Sequence, residues 1–432
     1  MRSIIEIFQN GQWVPAAEVT PRGRYTATFE YLIEYVFGDN PVPISLTHPV
    51  NARYHGIDAE TGAPDCPAVL FDLVPQGQGR KRLLQDLGRQ DGDDADLLLA
   101  QYGAYNPIGN LRLDTAVRYY EERSKRHQED ASEGYALDDI LRRKESFLDH
   151  LWLHAMLSAG TTGVQGAAPK FLLTQDRDAL WFADAALPDK DAAKHWLVKL
   201  PRGSHETDYA VLRNEAAYLR VAQRCGLRVA GESIYQGDML FVPRFDRIVE
   251  SVELGKVQRL AQETLASLSG VLGFGVPLSM FKLVESFRPH VADPVGEIIE
   301  FLRRDILNLA MRNTDNHTRN TSVQRLTDGT VQLTPIYDFA PMYLDRELIV
   351  RSCRWRTEDK RDIADINDII ARLGITDSEK ESVATEMRGF AATVSKLPET
   401  MRDCGVDEEI IEHCKSYIAV QSARLDGVGK HG

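Results

Sequence analysis

The stretch Asn313–Pro341, NTDNHTRNTSVQRLTDGTVQLTPIYDFAP, gathers oxygen-bearing side chains at an interpretable spacing. Asp315 and Asn320 lie in one polar run, and Asp338 follows directly before Phe339. Between them, SVQRL and TVQLT flank Thr327-Asp328-Gly329, a D-G turn between two alternating segments. This predicts a β-hairpin that folds Asp338 back towards Asn320. An isolated D-x-x-x-x-N is most often a polar loop after a helix, whose Asn and Asp cap and turn the backbone. Two carboxylates and an amide joined by a hairpin are more specific than that.

Order and spacing are those of the protein-kinase catalytic loop, D-x-x-x-x-N followed by D-F. Transfer of a γ-phosphoryl group needs hard oxygen ligands for Mg²⁺, which is held by one or two carboxylates plus the phosphates themselves. Asn320 and Asp338 suit that role. A carboxylate free of the metal must hydrogen-bond the incoming hydroxyl, and Asp315 is the candidate. His317, in the same loop, is read as orienting it by hydrogen bonding rather than as the general base.

Composition bounds the rest. The chain has 432 residues, long for one core, with 43% hydrophobic and 27% charged residues, as in an ordinary globular protein. A formal net charge of −13 argues against broad electrostatic capture of nucleic acid by this chain alone. The N-terminus lacks a long apolar run and no segment approaches a membrane span, so a cytoplasmic protein is expected. Five cysteines without C-x-x-C spacing indicate neither a zinc site nor a disulfide framework, but reduced, packed thiols.

In chain order, Asn10-Gly11 between IIEIFQ and QWVPA predicts a hairpin, and YTATFEYL a further strand. A small mixed α/β unit continues to about residue 112, and a charged helical stretch follows to about 150. SAGTTGVQGAAPKFLLT, residues 158–174, is a loop of small residues running into a strand, suited to close backbone approach to phosphates. HWLVKLPRG is a strand carrying Lys199, and the next helix carries Glu215. A strand lysine and a helix carboxylate are how kinases hold the α- and β-phosphates. ESIYQGDMLFVPRFDRIVE reads strand, Gly-Asp turn, strand and polar exit. This places the adenine-pairing hinge at Phe241–Phe245, with Pro243 and Phe245 in it and Asp246 after it as a ribose contact. Residues 257–312 are expected to be helical, from VQRLAQETLASLSGVLGF to VGEIIEFLRRDILNLAMRN, whose apolar face delivers Asn313 to the loop. Helices complete the chain after Pro341.

The strings N-T-D-x-H-x-R-N and L-T-P-x-Y-D-x-x-P closely resemble the signature of the HipA-like Ser/Thr kinases, toxins of bacterial HipBA toxin–antitoxin modules. NGQWV, S-L-T-x-P, L-F-D-x-V-P-x-G and Asn106-Pro107-Ile108-Gly109 resemble, in order, the family's N-terminal subdomain. R-F-D-R matches its hinge, and its motif also places a His at 317. The loop before Lys170 is similar to the family's G-[ST]-[ST]-x-G-x-x-x-P-K, with one more residue between Thr162 and Lys170. The resemblance implies that Thr161, Thr162, Gly163 and Lys170 bind the nucleotide. It also implies that a hydroxyl there, Thr161 or Thr162 with Ser158 just before them, is autophosphorylated to switch the kinase off.

The resulting expectation is an α/β (α+β) chain with a two-lobed, protein-kinase-like fold of the HipA type. It would comprise an N-terminal α/β subdomain (1–112), an N-lobe (113–245) and a mostly helical C-lobe (246–432). ATP and Mg²⁺ would be its cofactors. The resemblance implies a protein substrate such as an aminoacyl-tRNA synthetase, and a HipB-like helix-turn-helix antitoxin as partner, with operator DNA reached through that complex. Two alternatives share the loop: a small-molecule kinase on the same fold, and a nucleotide-binding co-repressor without catalysis.

Overall fold

The computed structural model describes residues 1–52, 66–92, 95–126, 134–143, 147, 151, 169–251 and 255–430. Two compact units emerge, and neither is a single stretch of sequence. The first comprises Met1–Arg202, Phe241–Phe274 and Gln324–Asp328; the second comprises Gly203–Leu240, Gly275–Val323 and Gly329–Gly432.

The first unit begins with an antiparallel sheet in the order Ala27–Tyr31, Gln12–Pro21, Ser3–Gln9, Leu111–Leu113. Its first hairpin turns at Asn10 and Gly11, whose φ of 50° and 81° put both central residues in the left-handed region. That is the turn whose twist matches paired strands, and it pins the register Gln9 to Gln12. The alternation of IIEIF then directs Ile5 and Ile7 inward, where both are fully buried with Val19, Phe29, Phe71, Leu83, Leu99 and Leu113. The helices Gly77–Asp86, Ala95–Gly103 and Asp114–Arg126 belong to the same module. Further along, Lys170–Asp176 lies between Trp181–Ala183 and Ala192–Lys199, antiparallel to both.

Residues 256–268 depart from the expected helix. They form the strands Lys256–Arg259 and Ala261–Thr264 and a short helix, Leu265–Leu268. The apolar residues Val257, Leu260, Leu265 and Leu268 mimic helical spacing. Pairing of Lys256–Arg259 with Arg247–Ser251, and burial of Glu263 among hydrogen-bond donors, override it.

The second unit is mostly helical. Its longest helices are Glu206–Arg224, Pro294–Ala310, Asp377–Ser395 and Glu408–Asp426. Pro294–Ala310 starts where Asp293 accepts from the Gly296 N–H, with proline at the first turn, and buries Ile298, Leu302, Ile306 and Ala310 as the spacing predicts. Ile234–Gln236 and Met239–Pro243 flank Gly237-Asp238, both left-handed, as the Gly-Asp turn requires. All five cysteines are buried. Among the described residues no helix is long and apolar enough to cross a membrane.

Candidate active site

The helix Pro294–Ala310 ends at Met311, whose carbonyl accepts from the Tyr218 hydroxyl at 2.8 Å. Arg312 then takes a left-handed φ of 59° and turns the chain into the loop. Asn313 is buried and holds both arms of the site. Its Oδ1 accepts from the Asp315 N–H at 3.3 Å, and its Nδ2 donates to the Asn308 Oδ1 at 2.9 Å and to the Asp338 carbonyl at 3.3 Å.

Within the loop, the Asn320 Nδ2 donates to the Asp315 carbonyl at 2.6 Å. That bond orients the Asn320 Oδ1 away, buried and without a hydrogen-bond partner. An unsatisfied buried acceptor costs stability unless something else engages it. The His317 Nδ1 accepts from the Arg319 N–H at 3.2 Å, so the proton of the neutral imidazole sits on Nε2. That nitrogen lies 3.6 Å from the Asp315 Oδ1, longer than a hydrogen bond but close enough to bias the carboxylate.

The hairpin closes as expected. Ser322–Arg325 and Val331–Leu333 flank the turn at Gly329, and the Thr334 N–H donates to the Ser322 carbonyl at 2.9 Å. The Tyr337 hydroxyl then donates to the Arg319 carbonyl at 2.8 Å and contacts the Ser322 Oγ at 2.7 Å. The residue before Asp338 is thereby fastened to both sides of Asn320. Asp338 itself has a φ of 49°, a conformation that costs of order 1 kcal/mol and is concentrated at functional sites. Phe339 is fully buried against Tyr218, ring centroids 5.2 Å apart.

A further support was not legible as a motif. Asp305 accepts from the Trp355 Nε1 at 2.9 Å, the Arg351 Nη2 at 2.5 Å and the Asn316 Nδ2 at 3.4 Å. The Cys353 N–H and Ser352 hydroxyl both donate to the Asn316 carbonyl. The segment Arg351–Trp355 thus braces the loop between Asp315 and His317. A buried aspartate on an apolar helix face was the available signal.

Lys170 and Lys199 sit opposite each other in the register of their strands, and Lys199 is buried. Glu215 is buried on the helix Glu206–Arg224. Thr161, Thr162 and Gly163 lie outside the described residues. Phe241–Phe245 leads into Asp246, which is buried. Its carboxylate accepts from the Arg244 Nε and Nη2 at 2.9 and 2.7 Å, the Arg247 Nη1 at 2.6 Å and the Gly109 N–H at 2.8 Å. Burial works against its charge, but the two guanidiniums outweigh it and hold the carboxyl below the usual range. Three of these bonds fall on Oδ2 and one on Oδ1, so the carboxylate is committed chiefly to Gly109 and the two arginines.

The described residues contain no cluster of three His, Cys, Asp or Glu side chains placed to hold a metal. The donor set of the loop is instead an amide oxygen and a carboxylate, suited to a hard cation that also binds phosphate oxygens. The unpartnered Asn320 Oδ1 fits that requirement.

The architecture and loop together are those of a mixed α/β, protein-kinase-like fold. Residues 5–114 match the family model of the HipA N-terminal domain, and residues 162–397 that of the HipA-like C-terminal domain. The chain belongs to the HipA family. Among solved structures it is similar to a chain of the Shewanella oneidensis MR-1 toxin–antitoxin complex of HipA, HipB and its operator DNA. That likeness has 18% identity and a TM-score of 0.65, covering 99% of this chain and 100% of that one. It is also similar to the Helicobacter pylori proinflammatory kinase CtkA, with 13% identity and a TM-score of 0.34, over 54% of this chain and 90% of that one.

Proposed function

We propose that this protein is an ATP-dependent serine/threonine protein kinase, the toxin component of a HipBA-like toxin–antitoxin system. The observation that carries the reading is the loop held by Asn313, which fixes Asp315, His317 and Asn320 together and ties in Asp338. Asp315 receives the substrate hydroxyl proton, and His317 orients it. Asn320 and Asp338 hold Mg²⁺, which would neutralise charge on the phosphate oxygens. Lys170 and Lys199 take the nucleotide phosphates, with Thr161, Thr162 and Gly163 lining the loop before them. Glu215 keeps the role of the helix carboxylate, and the backbone of Phe241–Phe245, including Pro243, pairs with adenine.

The substrate is a protein of the translation machinery, with an aminoacyl-tRNA synthetase as the first to test. A small HipB-like helix-turn-helix protein is the partner, and operator DNA is reached through that complex, in keeping with the net charge of −13. The setting is cytoplasmic. Purified protein incubated with Mg²⁺ and γ-labelled ATP should label a synthetase among a panel of translation proteins, and Asp315→Asn should reduce the rate by about 10²-fold or more. Binding of ATP without transfer to any protein, itself included, would refute the protein-kinase assignment and leave the two alternatives, a small-molecule kinase and a nucleotide-binding co-repressor.

A further inference from the structure

The chain after Pro243 runs into a buried set of charges within the first unit. Asp184, His195, Arg244, Asp246 and Arg247 all have side chains no more than 4% exposed. Asp184 accepts from the Arg244 Nη1 at 2.8 Å, the Thr174 hydroxyl at 2.5 Å and the Asn106 Nδ2 at 2.6 Å, and pairs with the His195 Nδ1 at 2.8 Å. The loop Asn106–Gly109 enters this set from the N-terminal module. The Gly109 N–H donates to Asp246, while Arg247 donates to the Gly109 carbonyl at 2.8 Å and the Pro107 carbonyl at 3.1 Å. Arg259 donates to the Asn106 Oδ1 at 2.7 Å. Gly109 has a φ of 91°, which suits a glycine and aims its N–H at the carboxylate.

Ion pairs buried this deeply give little net stability, because desolvation offsets their attraction. What they fix is geometry. Here the backbone is tied on both sides of Phe245: the Arg244 N–H donates to the His195 carbonyl at 3.0 Å, and the Asp246 carbonyl accepts from the Leu260 N–H at 2.9 Å. Phe245 therefore lies between two pinned residues; the loop from the N-terminal module engages the Asp246 side chain directly through Gly109, and the Arg244 side chain through Asp184 and Asp246.

We infer that Asn106–Gly109 is a positioning clamp on the segment Phe241–Phe245, setting the backbone geometry by which that segment distinguishes adenine from other bases. This rests on the kinase reading, in which the segment pairs with adenine. Arg247 and Asn106 are positioning residues, acting on the nucleotide only through the backbone of the hinge. The clamp makes the N-terminal module part of the nucleotide-recognition apparatus rather than an appended domain.

The test is the ratio of GTP to ATP dissociation constants, measured by calorimetry on the full chain. Loss of overall stability weakens both nucleotides alike, whereas a displaced hinge erodes their difference. Arg247→Met should lower the ratio about tenfold, and Arg247→Lys, which retains the charge on a single donor nitrogen, should recover part of it. Circular dichroism establishes that the variants fold, and if Arg247→Met does not, Asn106→Ser, which leaves Arg247 in place, gives the same readout. A folded variant with a wild-type ratio overturns the clamp while leaving the kinase reading intact. A wild-type protein that binds no ATP overturns the kinase reading and the clamp with it.

Discussion

Glu263 offers a quantitative test of the first unit. Its Oε1 accepts from the hydroxyls of Ser45 at 2.7 Å and Ser267 at 2.6 Å, and its Oε2 from the Leu46 N–H at 3.0 Å, so it fastens the Ser45-Leu46-Thr47 turn to the strand Ala261–Thr264. Burial pushes its carboxyl up to about 7 from an ordinary 4.5, despite these donors. Because the native state holds the proton more tightly, the resulting stability is fully present below about pH 4.5. It is lost as the pH rises towards 7, and above that the ionised form carries the desolvation cost. At about 1.4 kcal/mol per unit the whole effect is about 3 kcal/mol, of which about 1 kcal/mol falls between pH 6 and 8. Glu263→Gln preserves the contacts, since the amide oxygen accepts from Leu46 and the amide nitrogen donates to the serine hydroxyls, which rotate to accept. Urea unfolding followed by tryptophan fluorescence reports this unit through Trp13, Trp181 and Trp196. The glutamine variant should lose about 1 kcal/mol less than the wild type on going from pH 6 to pH 8. Parallel pH profiles for the two proteins would refute the assignment of this titration to Glu263.

Four further expectations concern the proposed chemistry. Asp315→Asn should bind ATP as the wild type does while losing transfer, which calorimetry beside a transfer assay separates; equal loss of both would contradict a role confined to the hydroxyl. Asp338→Ala should abolish the tightening of ATP binding by Mg²⁺, and His317→Ala should leave most of it, as titrations with and without the metal would reveal. Asn313→Ala removes hydrogen bonds to both arms of the loop and should lower kcat by about 10²-fold with little change in KM for ATP, because misplacement of about 1 Å is costly. Incubation with MgATP should place phosphate on Thr161 or Thr162, detected by peptide mass spectrometry and missing in Asp315→Asn; an active preparation unmodified there and at Ser158 would defeat self-inactivation.

The features that were legible in the sequence are local ones. Asn10-Gly11, Gly237-Asp238 and Asp328-Gly329 announce hairpins because left-handed turns demand particular residues. The helix Pro294–Ala310 declares itself by its cap, its proline and its apolar spacing. The loop from Asp315 to Asn320 was readable as a candidate because its residue types and spacing are those of the kinase catalytic loop. What was hidden depends on partners far away in the chain. Asp246 meets Gly109 and Arg247 meets Pro107, and no window of periodicity carries either pairing. The strands at Lys256–Arg259 and Ala261–Thr264 were obscured for the same reason, since tertiary pairing overrode the helical spacing of the apolar residues. Asn313 stood in plain view as part of the motif, yet its bonds to both arms become visible only in three dimensions.

The interleaving of the two units has a consequence for synthesis on the ribosome. Glu263 and Thr264 complete the polar partners of Ser45 and Asp72, and the Arg325 Nη2 donates to the Pro43 carbonyl at 3.0 Å. The N-terminal module therefore waits for chain made much later, and its compact unit cannot close until residue 328 has emerged. Long-range closures of this kind slow folding and leave partly made chains open to proteases. A truncated product ending before residue 260 would lack Glu263 and Thr264, the hydrogen-bond partners of Ser45 and Asp72 in its own first half. For a toxin kinase as proposed above, incomplete synthesis would then yield material prone to degradation rather than a free-standing nucleotide-binding fragment.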